Sequence, residues 1–259
     1  MALSLDVMRS ELNAAMVGSA PGTERADALC VTCVGLFDVD GAAVSLVLGG
    51  ASSGTFGSSS ESSRRMDEYQ FTFGEGPCLD AVTSGTSVLA PDLDAPQEQR
   101  WPVLRGALLE DGIRGVFAVP IMITSVCVGA LDLFRSRPGP LDGVALAGAL
   151  LAAELASMPL LDLMNEARDL ADREDAPVCS TDHLEDPPVE ADRVEVYQAT
   201  GMLISALGVD ADEALVRLRA HAMATDQTAS QVARSIIDRR LMLDRDDRGT
   251  TGDGGRSRR

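Results

Sequence analysis

VEVYQATGMLISALGVDADEALVRLRAHAMATDQTASQVARSIIDRRLM, residues 194–242, is the stretch whose reading decides the architecture. Its apolar residues recur at helical spacing and its breaks carry clear punctuation. Val196, Leu203 and Leu207 place one stripe on a helix from about Val194 to Leu207. Gly208 follows where a left-handed residue ends a helix. Asp210 and Glu213 form a D-x-x-E start signal for a second helix, whose stripe is Leu215, Leu218 and Ala222. Thr228 and Gln231 form a T-x-x-Q box opening a third helix with Val232, Ile236 and Ile237. The spacing predicts a three-helix bundle of about fifty residues. A core that small is marginal alone and calls for a partner surface.

The runs QATGML, LGV, EALVRLRAHA and QVARSIIDRRL resemble the ANTAR domain, the RNA-binding module of bacterial transcription antiterminators. The match falls on Gln198, Ala199, Gly201, Met202 and Leu203, then Ala214, Leu218 and Arg219, then Val232, Ala233, Ile236 and Ile237. Thr200 stands where a Lys is common in the family. The resemblance implies RNA contact through Gln198, Ala199, Thr200, Gly201 and Met202. Among the cations it points to Arg219, and Arg217, Arg234, Arg239 and Arg240 join it as candidates. Arginine suits phosphate forks and base stacking. Their other reading is a solvated face with acidic partners, as with Asp238 beside Arg239. Gln198 and Thr200 lie about 200° apart on a helix and cannot share one surface, whereas Gln198 and Met202 can. Ala199 and Gly201 are then expected to matter as small residues that let helices or RNA approach closely.

Charge separates this stretch from what precedes it. The net charge is −18. Residues 1–188 hold 28 acidic and 11 basic groups, a net of −17, and residues 189–259 hold 12 and 11, a net of −1. This argues against a general nucleic-acid binder. It leaves room for a near-neutral module that recognises RNA by shape and local Arg contacts. All 22 basic residues are Arg, a bias that GC-rich coding of the actinobacterial kind produces.

With 45% apolar residues and 3% aromatic, the chain has ample core material made of Ala, Leu, Val and Gly. The N-terminus lacks a basic region followed by an apolar run, and no uninterrupted run of about 18 apolar residues occurs. The five Cys, at 30, 33, 78, 127 and 179, have no framework spacing. A cytoplasmic protein with reduced thiols and no membrane span is expected.

Upstream, residues 3–17 read as an amphipathic helix. ALCVTCVGLFDVDGAAVSLVLGG reads as two strands turning at Asp40-Gly41. Residues 51–63 read as a polar loop, Glu68–Phe73 as a short extended run, Gly85–Ala90 as a strand and Val103–Asp111 as a helix. GVFAVPIMI and VCVGALDLFR read as strands around a Thr-Ser turn, and Leu141–Met158 as a helix ended by Pro159. The pattern is α+β, an antiparallel sheet flanked by helices. FTFGEGPCLDAVTSGTSVLAPDL, RWPVL, FAVPIMI and VGALDLFR resemble a GAF domain, a small-molecule sensing or dimerising module. The expected organisation is an N-terminal helix (1–24), a GAF domain (25–158), a helix extension with an acidic Pro-rich linker (159–188), a three-helix ANTAR bundle (189–243) and a disordered tail (244–259).

In the GAF part, Glu75, Cys78 and Trp101 are the candidate ligand-binding residues. Gly74-Glu75-Gly76-Pro77-Cys78 reads first as a turn with a small buried thiol. Trp101 lines a pocket or caps the edge of the sheet. Cys30 and Cys33, placed in a strand, face opposite sides and read as core. No catalytic residue, metal or cofactor is expected. The whole reads as a signal-responsive RNA-binding antiterminator. Its expected partners are stem-loops in leader transcripts, an unknown small-molecule or protein signal at the GAF domain, and a second copy of the chain. The dimer would form through the Ala/Leu-rich stretch Leu146–Leu155. The alternatives are a protein-interaction or DNA-associated regulator without RNA binding, and a thiol-dependent free methionine sulfoxide reductase recruiting Cys78 and Cys127.

Overall fold

The computed structural model describes residues 4–48, 51–174 and 193–243. The chain divides between Asp192 and Arg193 into two compact units.

The first unit is α+β. Its elements are α1 (Leu5–Val17), α2 (Thr23–Phe37), β1 (Gly41–Leu48), β2 (Ala51–Ser58), α3 (Glu61–Phe73), α4 (Pro77–Ser84), β3 (Val88–Ala90), α5 (Pro102–Glu110), β4 (Gly115–Ile123), β5 (Val126–Arg135) and α6 (Gly143–Glu174). The strands form one antiparallel sheet in the order β2-β1-β5-β4-β3. Helices α2 and α6 cover one face, with α1 packed on both, and α3 and α4 cover the other, with α5 beside α3. Alternation along the strands divides the interior accordingly. Val44, Phe117, Leu131 and Leu133 point into the core under α2 and α6, while Val47, Ala118, Ala130 and Phe134 point toward α3 and α4. Helix α6 lies close on the first core: a Cβ on Gly148 would come within 2.4 Å of the Phe37 ring.

Five expectations are corrected. The segment holding Cys30 and Cys33 is helical, not a strand. Ala26, Leu29, Cys30, Cys33 and Phe37 are buried at helical spacing, so both thiols share one face. The hairpin therefore does not turn at Asp40-Gly41; β1 starts there and pairs onward with β2. The supposed polar loop at 51–63 holds strand β2 and the start of α3, where the Ser60 hydroxyl caps the helix, and the supposed extended run at Glu68–Phe73 is the end of α3. Pro159 lies inside α6 rather than ending it. An internal Pro costs a helix about 3 kcal/mol, offset here by burial of Leu155, Ala156 and Leu160 in the core. Residues 143–162 are long and apolar enough to cross a bilayer, yet more than half of that window is buried in this unit.

The second unit is a bundle of α7 (Val194–Leu207), α8 (Ala211–Ala224) and α9 (Ala229–Ile237). Its punctuation is that expected. Gly208 closes α7 at φ +66°, the Asp210 side chain accepts from the Glu213 N–H, and Thr228 and Gln231 form a reciprocal capping box. Residues 175–188 of the expected helix extension and linker (159–188), and the tail from 244, lie outside the described residues.

Candidate functional sites

The α3/α4 side of the sheet carries a buried polar cluster. Thr55 on β2 lies opposite Ser45 on β1, and Ser45 is diagonal to Asp132 on β5. Asp67 and Gln70, three residues apart on α3, reach down onto this row, and Cys78 enters from the first turn of α4. All six are buried. Thr55 donates to Asp67 Oδ2 at 2.6 Å. Ser45 Oγ lies 2.5 Å from Asp67 Oδ1 and 2.9 Å from Asp132 Oδ2. Gln70 Nε2 donates to Asp132 Oδ2 at 3.3 Å, and its Oε1 accepts the Cys78 N–H at 2.8 Å. That last bond satisfies one of the donors that the start of a helix leaves open. A Cβ on Gly76 would lie 2.4 Å from Gln70 Oε1, so the glycine makes room for it.

Ser45 has one hydroxyl proton and two carboxyl neighbours, so a proton must sit on one of the carboxyls. Asp132 is the one that holds it. Burial, then repulsion from Asp67, push its carboxyl up to about 8. Burial, then the charges of Asp132 and Asp67, push the Cys78 thiol well above its ordinary range. Asp132 Oδ1 is buried with no hydrogen-bond partner.

Of the three candidates, only Cys78 joins this cluster. Glu75 Oε1 accepts from the N–H groups of Val103 and Leu104 at 2.8 and 2.9 Å, capping α5. Trp101 is buried at the start of α5 in a left-handed backbone (φ +52°). Its indole donates to Asp80 Oδ2 at 2.9 Å, and Arg100 lies over its ring at 4.5 Å. The GEGPC turn thus fastens α4 and α5 together. Ser45, Thr55, Asp67, Gln70 and Asp132 were not anticipated. A signal existed for Asp132: an Asp within the near-continuous apolar run of β5 marks a buried carboxyl once both faces of the sheet are covered.

In the second unit, Ala199 is buried among the helices, as is Thr200, whose hydroxyl donates back to Val196 O at 2.7 Å. Neither offers its side chain to a partner on the surface. Gln198 and Gly201 are exposed and Met202 is half-buried. A Cβ on Gly201 would meet nothing within 4 Å. Tyr197 is exposed beside them. Arg217 pairs with Glu213 one turn earlier at 2.6 Å, and Arg234 with Glu195 of α7 at 3.0 Å. Arg240 pairs with Asp238, Arg239 is exposed in a left-handed backbone, and Arg219 is half-buried. Arg193, which precedes α7, is fully buried and was not anticipated.

A family model of the GAF domain matches residues 22–160 and one of the ANTAR domain matches residues 190–237. Comparison with curated protein sequences gave no match. Among solved structures, the GAF domain of an Acinetobacter phosphoenolpyruvate-protein phosphotransferase is 12% identical, with a TM-score of 0.50 over 66% of this chain and 99% of that one. The GAF domain of the corresponding Coxiella burnetii protein is 17% identical, with a TM-score of 0.46 over 66% and 98%. At these identities the likeness concerns the fold alone.

Proposed function

Because this chain belongs to the GAF-domain family and carries an ANTAR domain, a pairing that fits a regulator, we propose that it is an RNA-binding antiterminator governed by a signal at its GAF unit. The observation that supports this most is the match of three ordered runs to the ANTAR pattern on a bundle that leaves one α7 face open. Gln198, Gly201 and Tyr197 lie on that exposed surface, and Gly201 leaves it flat. The partner would be stem-loops in nascent leader RNA, held in a form that lets polymerase read through. Two modules in a homodimer would clamp two loops, and avidity would offset weak single contacts. The cell compartment would be the cytoplasm.

The dimer surface is narrower than the sequence suggests. Most of Leu146–Leu155 is spent on the unit's own core, leaving Leu150 exposed within it and Met158 and Leu161 exposed beyond it along α6. Light scattering at micromolar concentration should give a dimer; a monomer would remove the avidity argument.

The reductase alternative loses support from Cys78. A thiol nucleophile acts as the thiolate, and this thiol is buried beside two carboxyls that disfavour that form. Sequencing of RNA co-purified with the full chain tests the main reading. Enrichment of leaders with two adjacent stem-loops is expected. Recovery of no RNA above background, with DNA or protein bound instead, would favour the interaction-module alternative.

A further inference from the structure

A polar network that serves only to hold a fold closes on itself, because each open buried group costs stability. The cluster under α4 does not close. Asp132 Oδ1 is fully buried and accepts from nothing. Three groups that are anionic when ionised, on Asp67, Cys78 and Asp132, offer ligand atoms all within 4.8 Å of one another. Each comes from a different element, α3, α4 or β5, so the convergence is made by the fold rather than by a local run of acids.

We propose that Asp67, Cys78 and Asp132 bind a single divalent transition-metal ion of the zinc or ferrous class, oriented by Ser45, Thr55 and Gln70. The donor set decides the class. Magnesium and calcium take oxygen ligands, whereas a thiolate selects a softer ion. Two carboxylates and one thiolate supply three ligands, and a fourth position stays open, as in sites that take water or a small exogenous ligand. Size fits as well. An ion at the centre of a triangle with 4.8 Å edges would sit about 2.8 Å from each corner. Zinc asks for about 2.0–2.3 Å, which side-chain rotations closing the triangle by about half an ångström per ligand supply.

The surroundings are those of a ligand shell. Thr55 and Ser45 hold the two oxygens of Asp67, and Ser45 and Gln70 hold Oδ2 of Asp132, which leaves Oδ1 without a hydrogen-bond donor. On binding, the proton shared by the carboxyls and Ser45 and the thiol proton of Cys78 leave to solvent, and the ion's charge takes their place. The ion would then tie β5 and α3 to the first turn of α4. The inference concerns the GAF unit alone and does not rest on RNA binding.

The test uses the full chain, stripped with chelator, kept anaerobic and reduced without thiols, and titrated with Co(II). A thiolate-to-cobalt charge-transfer band should saturate at one ion per chain and be bleached by Zn(II). Cys78→Ser should abolish it, while Cys30→Ser and Cys127→Ser should leave it. Asp132→Asn should weaken binding at least about 10-fold. Ser45→Ala, which removes an orienting bond, should weaken it by about 10- to 100-fold. Zn(II) should raise the melting temperature read from Trp101 fluorescence in the wild type and not in Asp132→Asn. No band in the wild type at millimolar Co(II) overturns the proposal, as does a band that survives Cys78→Ser. Should Cys78→Ser fail to give a cooperative melt, the near-isosteric Asp132→Asn decides, and wild-type affinity in that variant overturns the proposal.

Discussion

Gly201 sits in the middle of α7, exposed, with open space where a Cβ would be. An interior glycine weakens a helix by about 0.5–1 kcal/mol relative to alanine, and nothing around Gly201 opposes the added methyl. Gly201→Ala should therefore stabilise the second unit by that amount. With an unfolding entropy of about 2.1 cal/mol/K per residue, a unit of about fifty residues gains roughly 5–10 °C in Tm. The two units can be told apart in the full chain. Trp101, the sole Trp, lies in the first unit, so its fluorescence follows that unit, whereas far-ultraviolet circular dichroism follows the helices of both. The gain should appear in the dichroism and be absent from the fluorescence. The same methyl should interfere with a partner that approaches the bare backbone. An overpacked contact costs about 1–3 kcal/mol, or roughly 5- to 150-fold in stem-loop affinity. A variant that is more stable yet binds RNA like the wild type would refute the placement of RNA on this face. A variant that is less stable would refute the reading of Gly201 as an unpacked position.

Three further predictions rest on particular bonds. Arg219→Ala should weaken stem-loop binding by about 1–3 kcal/mol and flatten its salt dependence by one phosphate contact, measured by filter binding at two salt concentrations alongside a melt; wild-type binding at both salts would make Arg219 structural. Glu75→Ala removes the acceptor for the Val103 and Leu104 N–H groups and should cost the first unit about 0.5–2 kcal/mol in a Trp101-monitored denaturant titration; an unchanged midpoint would mean that solvent caps α5 equally well. Two hydrogen bonds from the Ser136 backbone and hydroxyl hold the Asp40 carboxyl below its ordinary value. That contribution is present above the unfolded pKa and is lost as pH falls through the lower folded value, so between pH 5 and 3 the wild type should lose more Tm than Asp40→Asn, and parallel curves would contradict it.

How far the sequence could be read depended on where the deciding interactions lie. In the second unit they are local. Gly208, Asp210 and the Thr228–Gln231 box stop and start helices through bonds to their own neighbours, so α7, α8 and α9 were legible. In the first unit they are tertiary. Helix α2 is rich in Val, Thr, Cys and Phe, which suit a strand, and only burial of one face against the sheet and α6 makes it helical. Strand β2, ASSGTFGS, has almost no local signal and exists because β1 offers it an edge. The polar cluster was hidden for the same reason. With Glu68–Phe73 read as an extended run and Asp67 left outside any element, the three-residue spacing of Asp67 and Gln70 carried no meaning. Once α3 is a helix, both point to one place.

The consequence reaches beyond the cluster. Gln70 uses one side-chain amide to join two structures, its nitrogen holding Asp132 in the sheet and its oxygen holding the Cys78 N–H at the start of α4. The same helix, through Asp80, holds Trp101 at the start of α5, and Glu75 in the intervening turn caps that helix. A change in charge at Asp132 or Cys78 therefore acts on the bond between Gln70 and the start of α4, and α4 with the turn before it is fastened to α5 by three hydrogen bonds to two carboxylates. Helix α4 is also packed on β4 and β5 through Cys78 and Ala81, so such a change acts at a seam that is both hydrogen-bonded and apolar. If the buried cluster holds an ion as proposed above, the α4–α5 pair is where its occupancy is expected to alter the surface of this unit.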